Sequence, residues 1–374
     1  MKSKPRHLDS IDLSALRLLV CVGPGGVGKT TMSAAFAVQA AALGRAVDVM
    51  TVDPAPRLLD ALGLGADSAD PVEVSLEALR DSRRNKSHRA RLRALRLDPK
   101  RTFDSIVGRH APSNSAREAI LENRIYRNLS NALAGVGDYM AMEKLLELAS
   151  NPATDLVVLD TPPAAEAIDF LDAPRRLLEL LNSRALSLLG APSGVLRRQL
   201  RVVDLAARAV LAAFDRVTGL NLLKDVQAFV KSFDGMYEGF AARAASAQEK
   251  LRARDTAIVI VTTAEASRIA QAREFIEALE RADLRVAALV VNRVMAELPD
   301  SAEISTAKIS ATLRKKLKRN LADYAALKTR EETSLNALRD SIPKDAVLMV
   351  APDLGREPLA ITDLAEVGRS LRPR

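Results

Sequence analysis

The chain has 374 residues, of which 48% are hydrophobic and 27% are charged, a balance typical of a folded globular protein with a large core. Its net charge is +8, and it contains one cysteine, no tryptophan and 3% aromatic residues. One cysteine excludes an internal disulfide and a Cys-x-x-Cys metal site, and the few aromatic residues argue against a nucleic-acid partner.

Short apolar runs rich in β-branched residues recur along the chain and predict strands that are buried on both faces. A helix is predicted over Thr31–Leu43, and other helix-length segments separate the later runs. This alternation predicts an α/β fold with a parallel sheet. The predicted strands are Leu18–Val22, Ala46–Val52, Leu156–Leu159, Ala257–Thr262, Val286–Val291 and Ala346–Val350.

Between the first strand and the first helix lies Gly23-Pro24-Gly25-Gly26-Val27-Gly28-Lys29-Thr30, which satisfies the phosphate-loop pattern G-x-x-x-x-G-K-[ST]. Its glycines let successive backbone N–H groups point at one anion, and the positive end of the helix dipole adds to the attraction. Lys29 is expected to contact the outer phosphates, Thr30 to ligate Mg²⁺ and Thr31 to contribute to binding. The loop predicts a nucleoside triphosphate site.

A dinucleotide site is the competing interpretation, because the same glycines also spell G-x-G-x-x-G. Asp53 follows the second strand, where that fold places an acid for the ribose. Lys29 directly after the third glycine favours the triphosphate, as does a later apolar run that ends in Asp160 and fits a Mg²⁺-side aspartate. An oxidoreductase that binds NAD stays as the weaker alternative.

Two long segments interrupt the alternation and predict helical insertions. They cover about residues 76–150 and 164–251, and the second is rich in leucine and alanine. We expect residues 1–374 to form a single P-loop domain that carries both insertions as a helical subdomain. Apolar residues at helical spacing in the second insertion are Leu186, Leu189, Leu196, Leu200 and Val203.

Positive charge is concentrated in Arg83–Arg101, with nine basic residues and one acid, and in Arg314–Arg319. Such runs serve nucleic acid, anionic lipid or an acidic partner, but a solvated basic helix is the first expectation. No charge-free apolar stretch approaches the roughly 20 residues of a membrane span, and Met1–Leu13 is polar. We therefore expect a cytoplasmic protein, with peripheral membrane contact left open.

Five segments together resemble the ArsA-type ATPases, a group that includes the arsenite-pump ATPase and the factor that delivers tail-anchored membrane proteins. They are the phosphate loop, Thr51-Val52-Asp53-Pro54-Ala55, Asp160-Thr161-Pro162-Pro163, Val290-Val291-Asn292-Arg293, and the segment from Ala351-Pro352 to Glu357-Pro358. The resemblance extends over nearly the whole chain. It implies a Mg²⁺-dependent ATPase with a P-loop fold.

The resemblance also implies roles for single residues. Asp53 would lie in switch I and position or activate the attacking water, unless it only caps the following turn. With Lys29 it forms the expected catalytic pair, and it is also a possible metal contact. Asp160 would open switch II and face Mg²⁺ through water. Asn292 would read the adenine edge, unless it simply ends a strand, and the loop Pro352–Pro358 would close over the base.

Two departures from the family pattern affect the expected function. Relatives usually carry, at the position of Pro24, a lysine that crosses a dimer interface to the partner's phosphates. Either another basic residue substitutes here, or a partner chain supplies the lysine, or hydrolysis is slow. The single cysteine, Cys21, argues against arsenite binding and against a zinc clasp, so no zinc is expected.

The sequence therefore predicts an ATPase that forms a homodimer or a heterodimer with a paralogue and switches between open and closed states. An apolar helix of a membrane protein is a possible client for the helical insertions, although amphipathic stripes also serve simply as core. A positioning ATPase of the ParA and MinD kind is the second alternative.

Overall fold

A computed structural model describes residues 11–65, 69–79, 90–123, 136–162, 164–181, 236–297, 309–358 and 360–374. The chain divides into two compact units. The sheet unit consists of Met1–Arg96, Leu148–Ile168 and Arg252–Arg374, and the helical unit of Leu97–Glu147 and Asp169–Leu251.

Nine strands form one sheet within the described part of the sheet unit. They are β1 (Leu18–Val22), β2 (Ala46–Thr51), β3 (Val72–Glu73), β4 (Arg91–Arg96), β5 (Leu156–Asp160), β6 (Thr256–Thr263), β7 (Val286–Val294), β8 (Val347–Pro352) and β9 (Arg372–Pro373). Their order is β3-β4-β2-β5-β1-β6-β7-β8-β9. All neighbours are parallel except the edge strands β3 and β9, which run antiparallel to β4 and β8.

The helices of the described segments surround this sheet or form the helical unit. They are α1 (Lys29–Ala42), α2 (Arg57–Ala61), α3 (Pro99–His110), α4 (Asn114–Glu122), α5 (Val136–Ala149), α6 (Ala164–Leu181), α7 (Tyr237–Arg252), α8 (Ala266–Arg281), α9 (Ala311–Arg339) and α10 (Ile361–Ser370). A single 3₁₀ turn spans Glu77–Leu79.

The structure confirms the predicted α/β fold. Each of the six predicted strands is present, with ends that differ from the prediction by at most three residues, and α1 matches the predicted first helix. Every residue of β1, β2, β5 and β6 is buried, as expected for parallel strands covered on both faces.

Within the basic segment Arg83–Arg101, residues 91–96 are β4, a strand of the sheet, and not part of a solvated helix. Arg83–Arg89 lie outside the described residues, and α3 begins at Pro99. The helical unit begins at Leu97. Arg93 Nε and one terminal nitrogen donate to the two carboxylate oxygens of the fully buried Asp48, each at 2.7 Å. The ion pair brings a charged side chain into a strand whose apolar residues, Leu92, Ala94 and Leu95, are all buried. The second basic block, Arg314–Arg319, does lie on a largely exposed helix, α9.

The described part of the helical unit has its own apolar core. Phe103 and Ile106 of α3 pack in one cluster with Tyr139 and Met140 of α5 and Phe240 of α7. The predicted amphipathic positions Leu186, Leu189, Leu196, Leu200 and Val203 lie outside the described residues. Among the helices that the structure describes, none is both long and apolar enough to span a membrane.

Candidate functional site

The phosphate loop leaves the carboxyl end of β1 and lies against the neighbouring strands. Gly23 has φ +147°, and a Cβ atom there would lie 2.1 Å from the carbonyl oxygen of Val261 in β6. Gly28 has φ +91°, and a Cβ atom there would lie 2.4 Å from Nδ2 of Asn292 in β7. Both positions need glycine, because a side chain would collide with the strands behind the loop.

Lys29 is the first residue of α1 and is 8% exposed. Its Nζ donates to the carbonyl oxygen of Pro24 at 3.0 Å, so the side chain folds back over its own loop. Burial lowers the pKa of Lys29, whereas the carboxylates of Asp160 and Asp53 act in the opposite direction. A poorly solvated cation at this position will interact strongly with an incoming anion.

Asp160 ends β5 and is buried directly behind the loop, with 1% exposure. Its Oδ2 accepts hydrogen bonds from the hydroxyls of Thr30 at 2.9 Å and Thr51 at 3.0 Å, and its Oδ1 accepts one from Ser33 at 3.3 Å. Burial raises the pKa of Asp160 to about 6, and these hydrogen bonds partly oppose the rise. Asp160 is therefore a carboxylate that is costly to ionise even though the positive charge of Lys29 is nearby.

Sequence reasoning selected Thr30 and Asp160 but missed Thr51 and Ser33. The register of β2 and β5 makes Thr51 the direct neighbour of Asp160. Ser33 follows Thr30 by three residues on α1 and therefore lies on the same face of that helix. The helical spacing could have identified Ser33, but the strand register could not be obtained from the sequence.

Asp53 follows the carboxyl end of β2 and is half-buried. Its Oδ1 accepts a hydrogen bond from the backbone N–H of Ala55 at 2.9 Å, and its own N–H donates to the Thr51 hydroxyl at 3.2 Å. Asp53 therefore does cap the following turn. It also lines the cavity beside the phosphate loop, so its capping role fixes a carboxylate at that cavity.

Asn292 ties the end of β7 to the phosphate loop. Its Nδ2 donates to the carbonyl oxygen of Val27 at 2.9 Å, and its Oδ1 accepts from the N–H of Arg293 at 2.9 Å. Arg293 has φ +58°, the left-handed region that non-glycine residues rarely adopt. The side chain of Asn292 is thus engaged by backbone groups, and it also contributes to a cavity wall.

Two adjoining cavities open at the carboxyl edge of the sheet. The P-loop cavity has a volume of about 520 Å³ and the outer cavity a volume of about 580 Å³, both within the range of small-ligand pockets. Their walls share Thr31, Arg293, Glu357 and Pro358. The P-loop cavity is also lined by Gly25, Gly26, Gly28, Lys29, Thr30, Asp53, Arg57, Asp60, Ala61 and Thr161.

The outer cavity is lined by Asn292, by Met32 and Val367, and by the loop that begins at Pro352. The structure therefore brings the predicted site residues to one edge of the sheet, with Gly23, Val27 and Asp160 behind the cavity wall. Sequence reasoning did not select Arg57, Asp60, Arg293 or Glu357 as site residues. Their positions at or after the carboxyl ends of β2, β7 and β8 were the available signal.

Two observations concern metal-binding side chains and the single cysteine in the described part of the chain. No group of three or more His, Cys, Asp and Glu side chains is arranged to hold a metal ion in that part of the chain. Cys21 is fully buried, and burial raises the pKa of its thiol to about 12, so it is unreactive. The expectation of no zinc stays a prediction.

Comparison with known proteins gives matches to ATPases, in agreement with the phosphate loop at this site. The chain matches the family model described as anion-transporting ATPase over residues 16–329. An uncharacterized protein of Streptomyces coelicolor is 28% identical over 286 residues, which are 75% of this chain and 63% of that protein.

Two fungal proteins named ATPase GET3 also match. The protein of Malassezia globosa is 27% identical over 181 residues, and that of Podospora anserina is 25% identical over 183 residues. Each match covers 48% of this chain and 49% of the fungal protein. The chain therefore matches about half the length of these named ATPases.

Proposed function

The chain belongs to the family of ArsA-type, anion-transporting ATPases, and we propose that it hydrolyses ATP in the P-loop cavity with Mg²⁺ as cofactor. The observation that carries this proposal is the hydrogen bond between Thr30 and Asp160 directly beside Lys29. A hydroxyl at the start of α1 bonded to a carboxylate at the end of β5 suits a metal-bound triphosphate, whereas a dinucleotide site uses its acid to bind the ribose. This pair favours an ATPase over the NAD alternative.

The residues present fit a magnesium ion. The Thr30 hydroxyl gives its hydrogen to Asp160 and keeps its lone pairs, and it lines the P-loop cavity. Oxygen donors of this kind are the ligands that Mg²⁺ prefers. Thr30 would hold the ion directly, Asp160 would hold it through water, and Asp53 is a further possible contact. A bound Mg²⁺ neutralises phosphate charge.

In the proposed reaction, a water molecule attacks the γ-phosphorus of ATP. A bond forms between the water oxygen and phosphorus, and the bond from phosphorus to the β–γ bridging oxygen breaks, with its electron pair remaining on ADP. The proton of the water leaves with phosphate or solvent. Asp53 would orient the water, because the turn at Ala55 fixes its carboxylate at the cavity wall.

The remaining residues would position the nucleotide. Lys29 would exchange its hydrogen bond to Pro24 for the outer phosphates, together with the backbone N–H groups of the loop. Asn292 and Pro352 line the outer cavity, where the base would lie. Asn292 would act mainly by holding the phosphate loop in place, because its Nδ2 already donates a hydrogen bond to the carbonyl oxygen of Val27.

We further propose that the protein works in the cytoplasm as a dimer, with itself or with a paralogous ATPase, and that hydrolysis switches the dimer between states. The client would be an apolar helix of a membrane protein. The described apolar residues of the helical unit pack on each other as a core. Affinity capture with the Asp53→Asn variant, compared with Lys29→Ala, would test for a nucleotide-dependent client.

The test of the ATPase proposal is the Lys29→Ala variant. Removing this charge should abolish Mg²⁺-dependent phosphate release and the rise in melting temperature caused by ATP, while the melting temperature without nucleotide stays near that of the parent. Lys344→Ala is the matched control, because Lys344 is exposed before β8, at the amino ends of the strands and away from the cavities at their carboxyl ends. Unchanged turnover in Lys29→Ala would refute the proposal.

A further inference from the structure

Four basic side chains line the two cavities: Lys29, Arg57, Arg293 and Arg356. They do not have the same freedom to bind an anion. The guanidinium of Arg356 donates to Asp363 Oδ1 at 2.5 Å and Glu366 Oε2 at 2.8 Å, so it is held on α10.

Arg293 and Arg57 differ in position. Arg293 lines both cavities and lies at their junction. Arg57 lines only the P-loop cavity, together with Lys29 and Asp53. Because the loop that binds phosphate forms one wall of that cavity, Arg57 lies on the side of the terminal phosphates rather than the base.

Arg57 is exposed, and its guanidinium makes no hydrogen bond or ion pair with any residue in the described ranges. Its backbone position is nevertheless well defined. It begins α2, and the next two residues, Leu58 and Leu59, are buried in the core of the sheet unit. A cation at a cavity wall that no described residue pairs, on a backbone anchored by buried neighbours, is suited to a ligand that supplies the opposite charge.

The charges around the P-loop cavity also support a phosphate-binding role for Arg57. Asp53 and Asp60 line its wall, and Asp160 is buried behind it. Lys29 is the one buried cation described at this wall, and its Nζ is engaged by Pro24 in the structure. A triphosphate brings roughly four negative charges, which exceed the charges of Lys29 and a bound Mg²⁺ taken together, and the three nearby carboxylates add to that deficit.

Building on the proposed ATPase function, we propose that Arg57 contacts the γ-phosphate of ATP from the same chain and stabilises the charge on its oxygens as the bond to the bridging oxygen breaks. Arginine suits this role, because its planar guanidinium can donate two parallel hydrogen bonds to phosphate oxygens. Asp53 and Arg57 lie four residues apart, so one segment would carry both the residue for water and the residue for phosphate.

The test compares Arg57→Ala, Arg57→Lys and a control, Arg285→Ala. Arg285 is exposed directly before β7, at the amino ends of the strands and so away from the cavities at their carboxyl ends. Two measurements are made on the full chain: steady-state ATP hydrolysis with Mg²⁺, and binding of ATP and ADP. Arg57→Ala should lower kcat about 100-fold. It should weaken ATP binding more than tenfold while ADP binding changes by less than about twofold, because ADP lacks the γ-phosphate.

Arg57→Lys should recover part of kcat, because it keeps the charge and loses the paired hydrogen bonds. Arg285→Ala should match the parent protein. An Arg57→Ala variant that keeps the parent's kcat and its preference for ATP over ADP would overturn the inference. If the parent protein itself does not hydrolyse ATP, the ATPase proposal fails, and the ratio of ATP to ADP binding still decides the role of Arg57.

Discussion

Replacing Asp160 by asparagine should stabilise the nucleotide-free protein. Burial raises the pKa of this carboxyl from 3.8 to about 6, and a rise of about two pKa units corresponds to about 3 kcal/mol for keeping it ionised at neutral pH. Asparagine removes that charge and keeps the shape. Its Oδ1 can accept from Thr30 and Thr51, and its Nδ2 can donate to Ser33, so each hydrogen bond seen in the structure has a counterpart.

We expect the Asp160→Asn variant to gain about 2 kcal/mol of unfolding free energy at pH 7.5 in a chelator, because neutral hydrogen bonds are somewhat weaker than those to a carboxylate. The gain should depend on pH in a defined direction. The pKa in the folded state lies above the ordinary value, so the wild-type protein loses stability as the pH rises from about 4 through 6. The advantage of the variant should therefore disappear near pH 4.

The assay is urea unfolding in a chelator at pH 7.5 and at pH 4.5. Asp48→Asn is a matched control, because Asp48 is also buried but is paired with Arg93, and this variant should be destabilised. With Mg²⁺ and ATP the wild type should become the more stable of the two proteins. Its unfolding free energy rises by about 3 kcal/mol when the ATP concentration is 100 times the dissociation constant, whereas that of Asp160→Asn rises much less. An Asp160→Asn variant less stable than the wild type at pH 7.5 in chelator would refute the reasoning.

Three other substitutions test separate parts of the structure. Asp53→Asn should keep Mg²⁺–ATP binding and lower hydrolysis at least about 100-fold, since an amide holds water less well; a parallel loss of binding and turnover would point to a structural role. Pro24→Lys introduced together with Arg57→Ala should raise ATP turnover about tenfold over Arg57→Ala alone, if a lysine there can replace the lost cation. Arg93→Ala should lower unfolding free energy by about 3–5 kcal/mol, because it leaves a buried carboxylate unpaired, whereas Arg91→Ala should change it by less than about 1 kcal/mol.

The strands of the sheet centre could be predicted because their signal is local. A strand covered on both faces needs apolar residues at every position, and runs such as Leu18–Val22 and Thr256–Thr263 satisfy this without reference to the rest of the chain. β4 could not be predicted in the same way. Its arginines alternate with apolar residues, and Arg93 becomes acceptable in the sheet only through Asp48, which lies 45 positions earlier.

The residues of the candidate site also fall into two groups: those that a local sequence signal predicts and those that only the tertiary structure reveals. By itself the sequence determined the phosphate loop, Lys29 and Thr30, because backbone geometry and residue type within eight consecutive positions are sufficient to bind phosphate. Only the tertiary structure decided that Thr51 joins Asp160 and that Arg57 lines the P-loop cavity. Those contacts depend on which strands are neighbours and in what register, and the sheet fixes both through hydrogen bonds between segments far apart in the chain.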